Sequence, residues 1–151
     1  MKYITSITFI LFLTHFEAQQ NLDTIINNWH NFAATAKTEN YFELMDEKFI
    51  FMGTAPGERW TKEEFFNFCK PYFNKKNTWD FDPLNRNWQY NQDSTIAWFD
   101  EDLVTWMGGC RGNGILVKNQ DDEWKLIFYN LCVLIENEKM KRFIRLRKKN
   151  N

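Results

Sequence analysis

Residues 49–65 read FIFMGTAPGERWTKEEF, and this stretch decides how the chain folds. Lys48 to Met52 is a β-branched and aromatic run that reads as a strand and is broken by Gly53. Pro56 fixes φ at the first corner of a type II turn, and Gly57 accepts the positive φ of the second. The chain therefore returns through Glu58-Arg59-Trp60 as a short hairpin. Thr61 and Glu64 then stand three residues apart, as in a capping box, where each side chain satisfies the other's backbone donor. Trp60 and Phe65 occupy the staple positions around that box, so a helix starts here and runs through Phe65, Phe66, Phe68 and Cys69 until Pro71 ends or kinks it.

Upstream, Leu22, Ile25, Ile26, Trp29, Phe32, Ala33 and Ala36 recur at helical spacing, which predicts one long amphipathic helix from Asn21 to Lys37. Thr38 can cap a second, short helix with Tyr41, Phe42, Leu44 and Met45. Downstream lie four strand-like segments, Trp79–Tyr90, Thr95–Trp106, Cys110–Lys118 and Trp124–Ile135. Asn91 to Ser94, Gly108-Gly109 and Asn119 to Glu123 separate them as hairpin turns. Helix, short helix, hairpin, helix and antiparallel meander make an α+β domain in which a curved sheet wraps the long helix and leaves a pocket in the cone.

The 151 residues leave room for one domain, and 44% hydrophobic with 26% charged residues is a globular balance. The 7 Trp and 15 Phe exceed what a core of this size hides completely, so the rings either fill the core or partly line a cavity. Residues 1–18 have the layout of a secretory signal peptide: Lys2, an apolar run from Ile4 to Phe16 too short to span a bilayer, then Ala18 before a polar stretch. An uncleaved anchor is the alternative. The expected organisation is a signal peptide over 1–18, a domain over 19–138 and a basic tail over 139–151, in a periplasmic or secreted protein with no membrane span in its mature form.

Net charge is -1, yet Lys139, Lys141, Arg142, Arg145, Arg147, Lys148 and Lys149 lie together near the end, and the body is acidic. An acidic body argues against nucleic acid as a partner. The tail reads either as a solvated end or as a strip whose apolar side, Met140, Phe143 and Ile144, touches an anionic surface. Cys69, Cys110 and Cys132 lack CxxC spacing, and His30 is the only histidine outside the leader, so neither a metal site nor a cofactor is expected. Cys110 and Cys132 are the one pair considered for a bridge, against buried free thiols for all three.

The 49–65 stretch, Ala97 to Glu101, Cys110 to Leu116 and Trp124 to Leu131 together resemble the SnoaL-like families of the nuclear transport factor 2-like superfamily, across roughly Leu22 to Asn137. The resemblance implies the cone-shaped fold, with a curved antiparallel sheet packed on a long N-terminal helix, and frequent homodimers. It does not imply one activity, because that superfamily holds isomerases, cyclases, dehydratases and adaptors. Relatives often carry His, Ser and Pro where this chain has Phe128, Cys132 and Glu136. A ketosteroid isomerase-type site needs a carboxylate base in the first hairpin, and none stands between Glu47 and Glu58.

Pairing the last hairpin about Asp121-Asp122 sets Ile115 opposite Phe128, Asn113 opposite Asn130 and Arg111 opposite Cys132. Arg111, Asn113 and Asn130 then share a face and are candidate ligand-orienting groups, Arg111 for a carboxylate. A one-residue slip would reverse that face, and an exposed Arg with two structural Asn is the competing reading. Alternation puts Trp98 and Asp100 on one face and Glu101 on the other. Asp100 is the candidate general acid or base, unless it is solvated or paired with Arg111. Tyr41 and Trp60 would close the pocket mouth or pack in the core, and His30 would sit at the rim or the surface. The expectation is an exported domain that binds a small, largely apolar molecule. The alternative is a cofactor-free isomerase, cyclase or hydrolase using a pocket carboxylate.

Overall fold

A computed structural model describes residues 22–75 and 78–149. The signal peptide expectation and the chain's last two residues fall outside that range.

Helix α1 covers residues 22–34, and Leu22, Ile26, Trp29 and Ala33 form its buried stripe. Helix α2, Thr38–Glu43, follows, with Lys37 rather than Thr38 at its N-cap position and no side-chain cap. Strand β1 runs Met45–Met52, longer than expected because Met45 already pairs with Leu126 before a register shift at Ile50. Strand β2 is Arg59–Thr61, reached through a turn in which Glu58 N–H donates to the Ala55 carbonyl and Gly57 has φ of 84°. Helix α3, Lys62–Asn74, opens on the expected capping box, and the Trp60 and Phe65 rings stack with centroids 6.0 Å apart. Pro71 removes one donor but does not end the helix, because buried Phe73 still anchors its last turn.

The meander is β3 (Asp82–Tyr90), β4 (Ile96–Thr105), β5 (Gly108–Lys118) and β6 (Trp124–Val133). With β1 and β2 it makes one six-stranded sheet in the order β2-β1-β6-β5-β4-β3. Every pairing is antiparallel except β1 with β6, which is parallel, so the first hairpin closes onto the last strand rather than standing apart.

The concave face is set by Ala97, Phe99, Glu101, Leu103 and Thr105 on β4, all buried, with Glu101 reaching His30 on α1. Gly112 and Gly114 on β5 point the same way. Their missing side chains leave the space that the Tyr129 hydroxyl and the Phe99 ring occupy. Phe51 and Phe65 stack with centroids 4.1 Å apart, joining the hairpin to α3. Each such fully buried ring or branched chain contributes roughly 1.5–3 kcal/mol by leaving water. The aromatic surplus is thus used mostly to fill the cone.

Beyond β6 the chain makes a 3-10 turn, Asn137–Lys139, and then helix α4, Met140–Lys149. The basic tail is thus helical and exposed along its described length.

Candidate functional site

Two features occupy the inside of the cone: a buried ion network at its centre and an aromatic cavity at its open end.

The network is built on Glu101, which is fully buried. Its Oε1 accepts from His30 Nε2 at 2.8 Å and from the Tyr129 hydroxyl at 2.7 Å. Its Oε2 accepts from Arg86 Nε at 3.0 Å and Nη2 at 2.7 Å. Arg86 lies directly across from Glu101 in the β3–β4 ladder, so the sheet register itself sets the bidentate pair. The Arg86 Nη1 group continues to Asp23 and Asn27, both at 3.0 Å, and Trp88 Nε1 donates to Asp23 at 2.9 Å. Asp23, Asn27 and His30 are spaced four and three residues apart, hence on one side of α1. The network therefore ties the helix to β3, β4 and β6. Gly112 makes it possible, since a Cβ there would strike both the Tyr129 hydroxyl and the Glu101 carboxylate.

Burial alone would raise the Glu101 pKa. The His30 hydrogen bond and charge, the Arg86 charge and the Tyr129 hydroxyl together outweigh it and lower the carboxyl to about 2. Burial likewise pushes Tyr129 well above the ordinary tyrosine value, and the adjacent Glu101 charge adds to that. With four donors on its two oxygens and its pKa this low, Glu101 is a poor proton acceptor near neutrality. Its geometry is that of an anchor between helix and sheet.

The cavity at the open end has a volume of about 190 Å³. Trp60, Phe65 and Phe68 wall it from the hairpin and α3, Phe81 and Trp79 from the approach to β3, and Trp106 with Met107 from the β4–β5 turn. Trp60 and Phe68 stack with centroids 4.5 Å apart. Glu58 is the one ionisable side chain among the described lining residues, and its Oε2 accepts from the Ala55 N–H. Behind Phe81 lies His30, with ring centroids 6.3 Å apart, so the network forms the wall behind the cavity without opening into it. A second cavity, about 430 Å³, lies at the other end between α1, α2 and the β5–β6 turn, where Asn28, Asn40, Glu43 and Lys125 make its lining much more polar.

Trp60 lines the cavity mouth, one of the two places the sequence left open for it. Tyr41 does not: it is 2% exposed and stacked on Trp29 at 5.0 Å in the core. The hairpin register about Asp121-Asp122 holds from Cys110 to Ile115, with Arg111 opposite Cys132 and Asn113 opposite Asn130, and a bulge between Ile115 and Leu116 shifts it by one residue nearer the turn. The face it carries is nevertheless the outer one. Arg111 is exposed and pairs with Asp102 at 3.0 Å, Asn113 and Asn130 are only partly covered, and Trp98 is 39% exposed. Asp100 accepts from Asn87 across the same outer face. The reason is parity: Ala97, Phe99 and Leu103 outweigh Trp98 in apolar burial, and their strand turns Trp98, Asp100 and, through the ladder, Arg111 away from the cone. Cys110 is buried while Cys132 is exposed, so the two thiols lie on opposite faces and are not bridged.

Sequence reasoning missed Glu101, Arg86, Tyr129 and Asp23. One signal was present: Gly112 and Gly114 sit directly opposite Glu101 and Phe99, which marks where large side chains cross the sheet.

Among known families, the SnoaL-like domain matches residues 22–136. The chain belongs to the SnoaL-like domain family. No curated protein matches it. The structure of an NTF2-like protein of unknown function from Pseudomonas putida KT2440 is similar, with a TM-score of 0.67 at 8% identity, covering 82% of this chain and 91% of that one. A domain of unknown function with a cystatin-like fold from Nostoc punctiforme gives 0.71 at 9% identity, over 86% and 85%. An NTF2-like protein from Cytophaga hutchinsonii gives 0.62 at 12%, over 77% and 98%. These likenesses establish the fold of this SnoaL-like domain and nothing about its chemistry.

Proposed function

We propose that this SnoaL-like domain is an exported binding protein that holds a small, largely apolar and planar molecule in the aromatic cavity at the mouth of its cone. The observation that carries the proposal is the cavity itself: aromatic and aliphatic on nearly every side, with one carboxylate, Glu58, at the hairpin edge. Its volume of about 190 Å³ is of the order that admits a single substituted ring, given that an apolar cavity of about 150 Å³ takes benzene. Binding is favoured over turnover because the buried carboxylate is saturated with donors and poorly basic. Pairing of two copies through the outer sheet face belongs to the same proposal and is supported by half-exposed Ile96, Trp98 and Val104 there.

Saturation-transfer NMR with indole, p-cresol and benzoate as probes tests the binding site. Indole or cresol should give signals that Trp106→Ala, at a side chain 81% exposed and so without cost to the fold, weakens at least tenfold. Absence of any signal, or binding unchanged in Trp106→Ala and Trp60→Ala, would refute the site. Native mass spectrometry of the same protein reads a retained ligand and the oligomeric state together.

A further inference from the structure

Helix α4 is the part of the molecule that the cone does not use. Every side chain from Glu136 to Lys148 is exposed, including Met140, Phe143, Ile144 and Leu146. An isolated ten-residue helix gains little from its own backbone, so an exposed apolar strip along it calls for a partner. The order of its residues, MKRFIRLRKK, sorts them by side. Met140, Phe143 and Ile144 stand at i, i+3 and i+4 and form one strip, which Leu146 widens. Lys141, Arg142, Arg145 and Lys148 take the opposite arc. Arg147, four residues after Phe143 and three after Ile144, falls within that strip, and its guanidinium lies 5.9 Å from the Phe143 ring centroid.

We infer that α4 is a membrane-surface helix that lies in the headgroup layer of an anionic phospholipid bilayer and tethers the domain there. Charge complementarity selects the occupant. The helix carries no acidic residue among six basic ones, so it seeks phosphate, while its apolar strip needs an acyl layer beneath that phosphate. A nucleic acid would satisfy the charge and leave the strip in water. At about 15 Å long the helix lies on the bilayer rather than across it, and no helix among the described residues is long and apolar enough to cross. The proposal is independent of what the cone binds.

The test is flotation of the full chain with vesicles of phosphatidylcholine, with and without about a third phosphatidylglycerol. Binding is expected on the anionic vesicles alone and should vanish at high salt, where screening removes the charge contribution. Near such a surface each basic side chain is worth roughly fivefold in partitioning, so Arg142→Gln with Arg145→Gln should weaken binding about 25-fold. Phe143→Ser with Ile144→Ser should weaken it at least tenfold, and a chain ending at Asn137 should not bind yet should melt as the whole chain does. Equal binding to neutral vesicles, or undiminished binding by the shortened chain, overturns the inference. So does tighter binding to duplex DNA that ignores the Phe143 and Ile144 changes, or an α4-dependent dimer seen by sedimentation without lipid.

Discussion

Replacing Glu101 with Gln tests the interior directly. The change keeps the shape and removes the charge, so Arg86, whose side chain is only 5% exposed, loses its bidentate partner and keeps Asp23 as its remaining charged one, with Asn27 beside it. A Gln amide also turns an NH2 group toward either the Arg86 donors or the His30 and Tyr129 donors, where only an acceptor fits. Breaking a buried pair on one side typically costs about 3–5 kcal/mol. The acid limb supplies a separate figure. The Glu101 carboxyl falls from its ordinary 4.5 to about 2, which corresponds to about 3 kcal/mol of stability. Because the folded-state value lies below the ordinary one, this stabilisation is complete above about pH 4.5 and is lost as the pH falls toward 2. Urea denaturation at pH 7 should therefore show the Glu101→Gln midpoint lower by about 1.5–2.5 M, for a slope of about 2 kcal/mol/M. The same titration repeated between pH 5 and 2.5 should show a steep loss in the unaltered protein and a much shallower one in the variant. A midpoint shift under about 0.5 M, or identical acid limbs, would refute the anchoring role and reopen Glu101 as a group available for chemistry.

Three further outcomes follow from the same geometry. Gly112→Ala should cost roughly 2–3 kcal/mol by calorimetry, since its Cβ meets the Tyr129 hydroxyl and Glu101; Gly109→Ala, with open space around it, should stay within about 0.5 kcal/mol. Thr61→Ala should lower stability by about 1 kcal/mol through loss of the capping box that starts α3. Aromatic disulfide reagents should titrate one thiol promptly, Cys132, and reach Cys69 and Cys110 only on unfolding, because burial hides both and raises the Cys69 pKa far above its usual range.

The open cavity at the mouth was legible only in part. The staple position of Trp60 favoured the core over the mouth, and Phe81 and Trp106 reach the cavity from segments whose approach depends on sheet curvature, which no local pattern encodes. Tyr41 was misplaced for the opposite reason. A tyrosine on a short helix can face a cavity or the core, and stacking on Trp29 places it in the core.

Local chemistry alone determined much of this protein: the Pro56-Gly57 turn, the Thr61–Glu64 box, the α1 stripe and the pairing of β5 with β6 all depend on residues close in the chain or on a single hairpin. What only the tertiary structure decided is which side of that sheet is the inside. A strand alternates two faces, and on β4 the rule that charge stays outside conflicts with the rule that Ala97, Phe99 and Leu103 go in, because Glu101 shares their parity. The conflict is resolved by donors from residues 30, 86 and 129, brought together only when helix and sheet close. Those donors make a buried carboxylate tolerable, and with it they turn Arg111, Asn113 and Asn130 to the outer face.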